Sequence, residues 1–445
     1  MKRFMAYYLI QFTLFPFLAV AASIQSSYAD AQKKPHGMLE LPGLISEALE
    51  RNPDIIAARN RFQSAQEIIE FRRAFPDPDV SYTYFVENVE TRVGPQRHIL
   101  GAKQRFPFYG KRDLRADIAT QETEYLGRVY EGTKSEVIRQ VKTSFYDLFY
   151  LATVIDITHR EKELLKRFER IARVKYETGR GLQQNILKVQ VEMSKLSERL
   201  LALEKQKQTV EAMLNTVLNR PLAGYLGKPI QPELPEIGPA HQELLELTIE
   251  NNPEIGAAQA LISKSEGAYK LAKKDYAPDL TIGVNYIEVG DGPLKVSDNG
   301  KDAINVMFSI NLPIWQKKLS SQAQSALKTI AAQKSHSRNV SNRTLFQVKD
   351  SFFKIQSARE TIDLYESALV PQAKQSMESA EAGYIAGIVS FLDVLDAERV
   401  LLNIHFGYWR AYTDYLKHVA DLERAVGIQL IEWPSGKIKQ EAKEE

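Results

Sequence analysis

Two carboxylates stand three residues apart in the run YIAGIVSFLDVLDAERV, residues 384–400. On a helix this spacing places Asp393 and Asp396 on one face. Two acids in an otherwise apolar run can act as a general acid and base, bind a metal ion, cap a helix or form a charged constriction. The rest of the chain decides among these four roles.

Catalysis by this pair finds no support elsewhere in the sequence. The chain contains no P-loop, G-x-S-x-G or H-E-x-x-H pattern. It has no cysteine, and its seven histidines are scattered at positions 36, 98, 159, 241, 336, 405 and 418. Two acids without a positioned third group or a substrate cleft give no mechanism. The sequence therefore predicts no enzyme, no metal site and no cofactor.

Composition narrows the class of protein further. The 445 residues are 44% hydrophobic and 26% charged, which predicts a folded chain. The 58 basic and 56 acidic residues are interspersed and leave a net charge of +2. Because no basic surface is indicated, we expect no nucleic-acid partner.

The N-terminus carries the features of an export signal. Two positive charges in MKR precede an almost uncharged apolar stretch, Phe4–Ala22, and the polar small-residue segment SIQSSYADAQ. This order predicts a signal peptide at 1–29, with cleavage after Ala29 or Ala31. An uncleaved membrane anchor is the alternative, since the apolar stretch is long enough to span. The lack of cysteine excludes N-terminal lipid attachment, and no later stretch approaches the length of an apolar spanning helix.

The mature chain contains two tandem repeats of one sequence pattern. The segment ALERNPDIIAARN at 48–60 reappears as TIENNPEIGAAQA at 248–260, and YETG at 176–179 reappears as YIAG at 384–387. These matches predict a first repeat at 40–220 and a second at 241–430. A proline-rich connector at 221–240 separates the repeats, and a charged tail occupies 431–445.

Each repeat follows one plan, a helix, a β-hairpin, a long helix and a further helix. The hairpins are predicted at about 79–106 and 279–312, because apolar and polar residues alternate there. Strands of about 9 to 11 residues suit a tilted crossing of the hydrocarbon layer. Four strands cannot close a barrel by themselves. Either the strands are half-buried in a soluble core, or several chains combine their hairpins.

Two segments are too long for an ordinary globular core. Long helices are predicted at about 112–178 and 318–386, followed by helices at about 183–219 and 391–427. From Lys318 to Val370 there is no glycine or proline, and apolar residues follow a coiled-coil spacing. These residues alone would extend roughly 80 Å at about 1.5 Å per residue. Such helices must pack side by side in an elongated bundle or tube.

The chain resembles the TolC family of outer-membrane efflux ducts from about residue 40 to 430. The resemblance rests on the NP-[DE]-I-x-A-A segments, the Pro-Asp strand starts, FPFYGKR and LPIWQKK after the hairpins, ALVPQA, and GYxxGxxSxxDVLDA. It implies a mainly α fold with a transmembrane β-barrel. Three chains would give four strands each to a twelve-stranded barrel in the outer-membrane lipid, continued by a long periplasmic α-helical barrel. The partners implied are two further copies, a periplasmic adaptor and an inner-membrane pump.

The resemblance also assigns roles to the helical turns. Asp393 and Asp396 would form acidic rings at the periplasmic entrance, which favour cations, although Ser390 and Asp393 also fit a helix cap. Arg180 could pair with an acid of the other hairpin. Val389 stands where some members carry a basic residue that keeps the entrance shut. The turns implied to dock the adaptor comprise Gly179, Arg180, Gly181, Leu182, Gly387, Ile388, Val389 and Ser390.

A second class of protein shares some of these features. A periplasmic coiled-coil adaptor would also have a signal and a helical hairpin. Its single central hairpin would be flanked by β-rich segments, whereas this chain alternates hairpin and helix twice. The sequence does not specify the cargo, which could be a drug, a metal ion, a solvent or a polypeptide.

Overall fold

A computed structural model describes residues 37–293 and 297–431. The described chain divides into two compact units. We call residues 37–56, 133–252 and 345–431 the helical unit, and residues 57–132, 253–293 and 297–344 the sheet unit. The predicted signal peptide at 1–29, its cleavage points and the tail after residue 431 lie outside the described residues.

The elements alternate between helices and strands in both halves of the sequence. In the first half they are β1 (Met38–Leu39), α1 (Leu41–Arg51), α2 (Pro53–Arg73), β2 (Asp79–Thr91), β3 (Gly94–Phe106), α3 (Lys111–Glu177) and α4 (Gln183–Val217). In the second half they are β4 (Lys228–Pro229), α5 (His241–Asn251), α6 (Pro253–Lys274), β5 (Leu280–Val289), β6 (Ala303–Ile310), α7 (Gln316–Leu364), α8 (Val370–Ala386) and α9 (Phe391–Val426). No helix within 37–293 or 297–431 is long and apolar enough to cross a membrane.

The sheet unit contains one antiparallel sheet of four strands in the order β2-β3-β5-β6. The first hairpin pairs as far as Thr91 with Gly94, so its strands of 13 residues are longer than predicted. The second pairs only as far as Ile287 with Ala303, and its strands have 10 and 8 residues. The connection between β5 and β6, residues 290–302, is therefore longer than the connection between β2 and β3, residues 92–93.

The two faces of this sheet differ in polarity. Residues paired directly across the strands share a face. Two adjacent rows on the same face are Val80, Ala102, Val284 and Val306, and Tyr82, Leu100, Tyr286 and Ile304. A row on the opposite face is Ser81, Gly101, Asn285 and Asn305. In the single chain the apolar face is open, with Ile304 72% and Phe308 70% exposed.

A buried carboxylate organises the end of the sheet where the strands meet the helices. Asp279, just before β5, accepts hydrogen bonds from Lys111 Nζ at 2.9 Å, from Arg105 Nη2 at 2.5 Å and from the Phe108 amide at 3.0 Å. Asp279 and Lys111 are 4% and 3% exposed. A buried carboxylate with this many donors stays charged and satisfied. The Pro-Asp motif of the second copy therefore fastens the start of β5 to the start of α3.

The core of the helical unit lies between α3, α4, α8 and α9. It is formed by Val154, Ile157, Leu165, Phe168, Val189, Leu196, Met377, Tyr384, Phe391, Val394, Leu395, Leu402 and Phe406. On α7, where a coiled-coil spacing was predicted, Val348, Ile355 and Ile362 are buried at steps of seven. This spacing keeps one face of a helix against its neighbours, as in a coiled coil.

Matching asparagines end the first helix of each repeat. Asn52 donates from Nδ2 to the Val217 carbonyl at 2.9 Å, and Asn252 donates to the Ala425 carbonyl at 2.8 Å. Val217 and Ala425 are 208 residues apart, the same offset as YETG and YIAG. Each asparagine precedes a proline, which lacks an amide hydrogen and starts the next helix. The single entry helix expected in each repeat is therefore two helices.

The predicted unbroken helix 318–386 is wrong in one place. A π-helical turn, Tyr365–Leu369, separates α7 from α8. Pro371 follows two residues later, in the ALVPQA segment. Because proline cannot donate an amide hydrogen bond and its ring displaces the carbonyl four residues before it, the helix widens at this point.

Candidate functional site

The two turns that join the long helices have the same backbone design. Gly179 after α3 and Gly387 after α8 have φ of 70° and 79°. The amide of Arg180 donates to the Lys175 carbonyl at 2.8 Å, and the amide of Ile388 donates to the Gly383 carbonyl at 2.8 Å. This left-handed glycine with its backward hydrogen bond is a Schellman ending. The repeated G in YETG and YIAG therefore reflects the backbone angle that each turn requires.

Asp393 takes part in a complete capping box at the start of α9. The Ser390 amide donates to Asp393 Oδ2 at 2.8 Å, while the Asp393 amide donates to Ser390 Oγ at 3.4 Å. The two residues thus satisfy two backbone amides that the helix leaves free. The capping role proposed for Asp393 from the sequence is present in this chain.

Asp396 lies one turn further along α9 and is exposed. Both acids line an open groove of about 570 Å³ between α4 and α9. The groove is lined by Gln184, Leu187, Lys188, Val191, Glu192, Leu392, Asp393, Leu395, Asp396 and Arg399. Arg399 pairs across it with Glu192 at 3.0 Å. The groove of a single chain thus carries both signs of charge, so an acidic ring requires acids from several chains.

The geometry does not assemble a catalytic or metal centre around the acids. No group of three or more histidine, cysteine, aspartate or glutamate residues in the described part of the chain could hold a metal ion. The cap fixes the Asp393 carboxylate against the backbone, where it acts as an acceptor. The arrangement can provide fixed negative charge to solvent or to a partner.

Lys175 joins the two turns in a way that the sequence analysis missed. Its Nζ donates to the carbonyls of Tyr384 and, at 3.4 Å, of Ile385 at the end of α8. The same ammonium lies 4.3 Å from the centre of the Tyr384 ring. A cation at the C-terminal end of a helix is favourable, because the free carbonyls there are negative. Only a basic residue directly before YETG hinted at this contact.

Arg180 does not occupy the predicted role within one chain. Among the described residues no acidic group lies within ion-pairing distance of its guanidinium. Its pairing with an acid of another chain stays a prediction. The hairpins are instead joined by Lys175 and by Arg167, which bonds Glu381 at 2.8 Å.

Val389 stands where some members of the resembled family carry a basic residue, and in this chain it contributes packing. It packs partly buried against the core of the helical unit. A Cβ added at Gly383 would lie 3.0 Å from Val389 Cγ2, so the two residues are in close contact. The second turn therefore folds back on its own helix through an apolar contact.

Two functional candidates in the helical core also escaped the sequence analysis. Glu398 on α9 is 4% exposed, and it lies beside Glu161 on α3. Both follow core residues by four positions, which is the spacing that could have revealed them. A buried pair of acids is costly unless a proton or a cation compensates it.

Comparison with known proteins gives consistent matches along nearly the whole chain. A family model described as "Outer membrane efflux protein" matches residues 44–220 and 244–428. The cobalt-zinc-cadmium resistance protein CzcC of Cupriavidus metallidurans is 21% identical over 399 residues, covering 88% of this chain and 90% of that protein. The outer membrane protein TolC of Vibrio cholerae is 21% identical over 401 residues, with 87% and 90% covered.

Solved structures of outer-membrane channels share the fold. The outer membrane protein VceC of Vibrio cholerae superposes with a TM-score of 0.73 at 20% identity, covering 88% of this chain and 97% of that one. The channel OprN superposes with a TM-score of 0.75 at 15% identity, with 87% and 89% covered. These likenesses confirm the predicted mainly α fold with strands that belong to a barrel.

Proposed function

The chain belongs to the outer membrane efflux protein family, and we propose that three copies form a channel fed by a periplasmic adaptor and an inner-membrane pump. Outer-membrane efflux is the function of this family, and its members are channels rather than enzymes. The copy number and the two partner classes are the proposed part. In the proposal the channel is passive, and the pump supplies the energy.

The four-stranded sheet is the observation that carries the proposal. Within the described residues, β2 and β6 each pair with a strand on one side only. A sheet in lipid cannot leave an edge open, because no water is present to bond the free backbone groups. Three copies of four strands give an even number within the range of known membrane barrels. Further copies of this chain would supply the missing neighbours of β2 and β6.

The polarity of the sheet supports the same arrangement. The face with Val306 and Ile304 would contact lipid, and the face with Asn285 and Asn305 would line the lumen. On the second face Asn285 Nδ2 donates to Asn305 Oδ1 at 2.9 Å. Apolar residues outside and polar residues inside are the pattern of membrane barrels.

Neighbouring residues on β6 provide a matched test. Phe308 belongs to the apolar face and Ser309 to the opposite one. We expect Phe308→Lys to cost about 2–4 kcal/mol per chain if the position lies near the middle of the bilayer. The heat-modifiable trimer in the outer-membrane fraction should then fall sharply, whereas Ser309→Lys should keep it. Equal loss in both variants would argue against lipid contact at Phe308.

The same fractionation separates the two classes of protein considered from the sequence. A periplasmic adaptor would be recovered as a soluble protein and would need one helical hairpin flanked by β-rich segments. The described residues contain two helical hairpins and a single four-stranded sheet. Recovery of the wild-type chain as a soluble periplasmic monomer would overturn the proposed channel.

The helical turns are proposed as the periplasmic entrance. Asp393 and Asp396 would come near one axis in a trimer, where repulsion between like charges favours bound cations. Because Asp393 is held in the cap, Asp396 supplies the freer charge. Leu182 and Ile388 at the turns are 66% and 82% exposed. Exposed apolar residues on both turns support the proposal that they dock the adaptor.

The class of cargo can be identified by measuring which compounds a deletion strain no longer tolerates. The name of the Cupriavidus relative refers to cobalt, zinc and cadmium resistance. A deletion strain should therefore be profiled against these three ions together with drugs and solvents. Restoration of a lost tolerance by the wild-type chain would identify the class of cargo.

A further inference from the structure

Two glutamates occupy core positions on facing helices of the helical unit. On α9, Glu398 lies four residues after Val394 and four before Leu402, both of which are buried. On α3, Glu161 lies four residues after Ile157 and four before Leu165 in the same core. This spacing turns both carboxyl groups toward the apolar seam rather than toward solvent.

The two carboxyl groups lie within hydrogen-bonding reach of each other. Glu161 Oε1 is inaccessible, and as a carboxylate oxygen it meets no donor among the described residues. Two ionised carboxylates can only accept hydrogen bonds, so neither can satisfy the other. A proton on one of them turns it into a donor and removes the unsatisfied atom.

The neighbouring charged groups do not compensate the negative charge of the two glutamates in place of this proton. Burial, and then the Glu161 charge, raise the pKa of Glu398 to about 9, and burial raises the pKa of Glu161. On α4, Glu192 adds further negative charge. Arg399 opposes the rise in pKa, but its guanidinium is bonded to Glu192 at 3.0 Å.

Among the described residues, none of the other charged groups donates a hydrogen bond to Glu161 Oε1. On α8, Glu381 bonds Arg167 of α3. Lys162 of α3 donates to Ser197 of α4 at 2.8 Å. Burial and then Arg160 lower the pKa of His405 on α9, which favours the neutral imidazole.

We propose that Glu161 and Glu398 share one proton, and that this shared proton holds α9 against α3 beside the candidate acidic turn. Glu398 immediately precedes Arg399, which lines the groove together with Asp396, so the contact lies at the level of this groove along α9. The ligand of this site is a proton. Loss of that proton would leave two negative charges facing each other in an apolar seam.

The direction of the pH dependence follows from the raised pKa. A carboxyl whose pKa is higher in the folded than in the unfolded chain binds more protons when folded. Its stabilisation is complete below the ordinary value of 4.5 and is lost as the pH rises toward about 9. Across this interval the unfolding equilibrium constant should rise about tenfold per pH unit relative to a variant without the titration.

The test compares full-length protein in detergent with the variant Glu398→Gln, which keeps the shape and supplies a permanent donor. The urea midpoint of the helical circular dichroism signal is measured from pH 5 to pH 9. We expect the wild-type midpoint to fall relative to that of Glu398→Gln as the pH rises. Glu163→Gln on α3, whose side chain is 69% exposed, is the control and should follow the wild type. Parallel curves for wild type and Glu398→Gln would overturn the proposal.

A second measurement does not depend on how the variant folds. Infrared difference spectroscopy of the wild type should show the C=O stretch of a buried protonated carboxyl at pH 7 that disappears above pH 9. Absence of this band at pH 7 would refute proton sharing even if Glu398→Gln fails to fold. Isotopic labelling of glutamate assigns the band to this residue type.

The consequence for conduction rests on the proposed channel function, whereas the two structural measurements do not. In planar bilayers, alkaline pH should increase wild-type conductance more than that of Glu398→Gln. If the infrared band is present but no conductance is observed for either protein, the channel proposal fails and the proton site stands. If conductance is normal but the band is absent, the proton site fails alone.

Discussion

Lys175 offers the most direct test of what joins the two helical turns. Replacing it by methionine keeps the length of the apolar stem and removes the ammonium that donates to the Tyr384 and Ile385 carbonyls. A hydrogen bond from a charged donor contributes about 1.5–3 kcal/mol, and an exposed cation–π contact contributes about 0.5–1 kcal/mol. Because Lys175 is only partly buried and its second carbonyl is 3.4 Å away, we expect a loss of about 1–2 kcal/mol.

A loss of this size corresponds to a roughly 5- to 30-fold increase in the opening of the turn. Hydrogen exchange of the peptide 383–390 measures it, since local opening controls the exchange of its bonded amides. Lys166→Met is the matched control, because Lys166 lies on the same helix, is exposed and pairs with Glu163 three residues away. Unchanged exchange in Lys175→Met, or equal acceleration in the control, would refute the proposed contact.

Three further predictions concern the cap, the acidic ring and the repeat asparagines. Ser390→Ala should cost about 1 kcal/mol at the start of α9, seen as faster exchange of its first turn, while leaving block by multivalent cations unchanged. Asp396→Asn should do the opposite, keeping the cap and weakening cation block in planar bilayers; block that is insensitive to Asp396→Asn would refute its place in an acidic ring. Asn52→Ala and Asn252→Ala should each lower the free energy of unfolding by about 1–3 kcal/mol, because each leaves a buried carbonyl without its donor. Urea midpoints measure this loss, and an unaffected Asn252→Ala would show that the second repeat does not depend on the contact.

Local patterns predicted the elements of the fold well. Alternation of apolar and polar residues marked both hairpins, and proline and glycine marked the turns and helix ends. The strand bounds were less accurate, since cross-strand pairing continues to Thr91 in the first hairpin and stops at Ile287 in the second. The π-helical turn before Val370 was not predicted, although Pro371 follows it by two residues.

The candidate site was predicted only in part. The S-x-x-D spacing identified the cap, since the hydrogen bonds that close it join residues three apart. Among the described residues Arg180 has no acidic partner, and Lys175 and Arg167 form the cross-hairpin contacts instead. Which basic side chain reaches the other hairpin depends on where the end of α8 lies, and no local spacing encodes that position.

The sequence by itself determined the tandem plan, the alternating strands of the two hairpins, and the glycine turns. Each of these follows from the period of a pattern or from the backbone angles that a residue allows. Only the tertiary structure decided that Glu161 faces Glu398 and that Asn52 and Asn252 reach equivalent carbonyls in the two repeats. Contacts between helices distant in sequence depend on how their faces pack. The protonation of the two glutamates and the hydrogen bonds of the two asparagines are therefore decided only when the chain has folded.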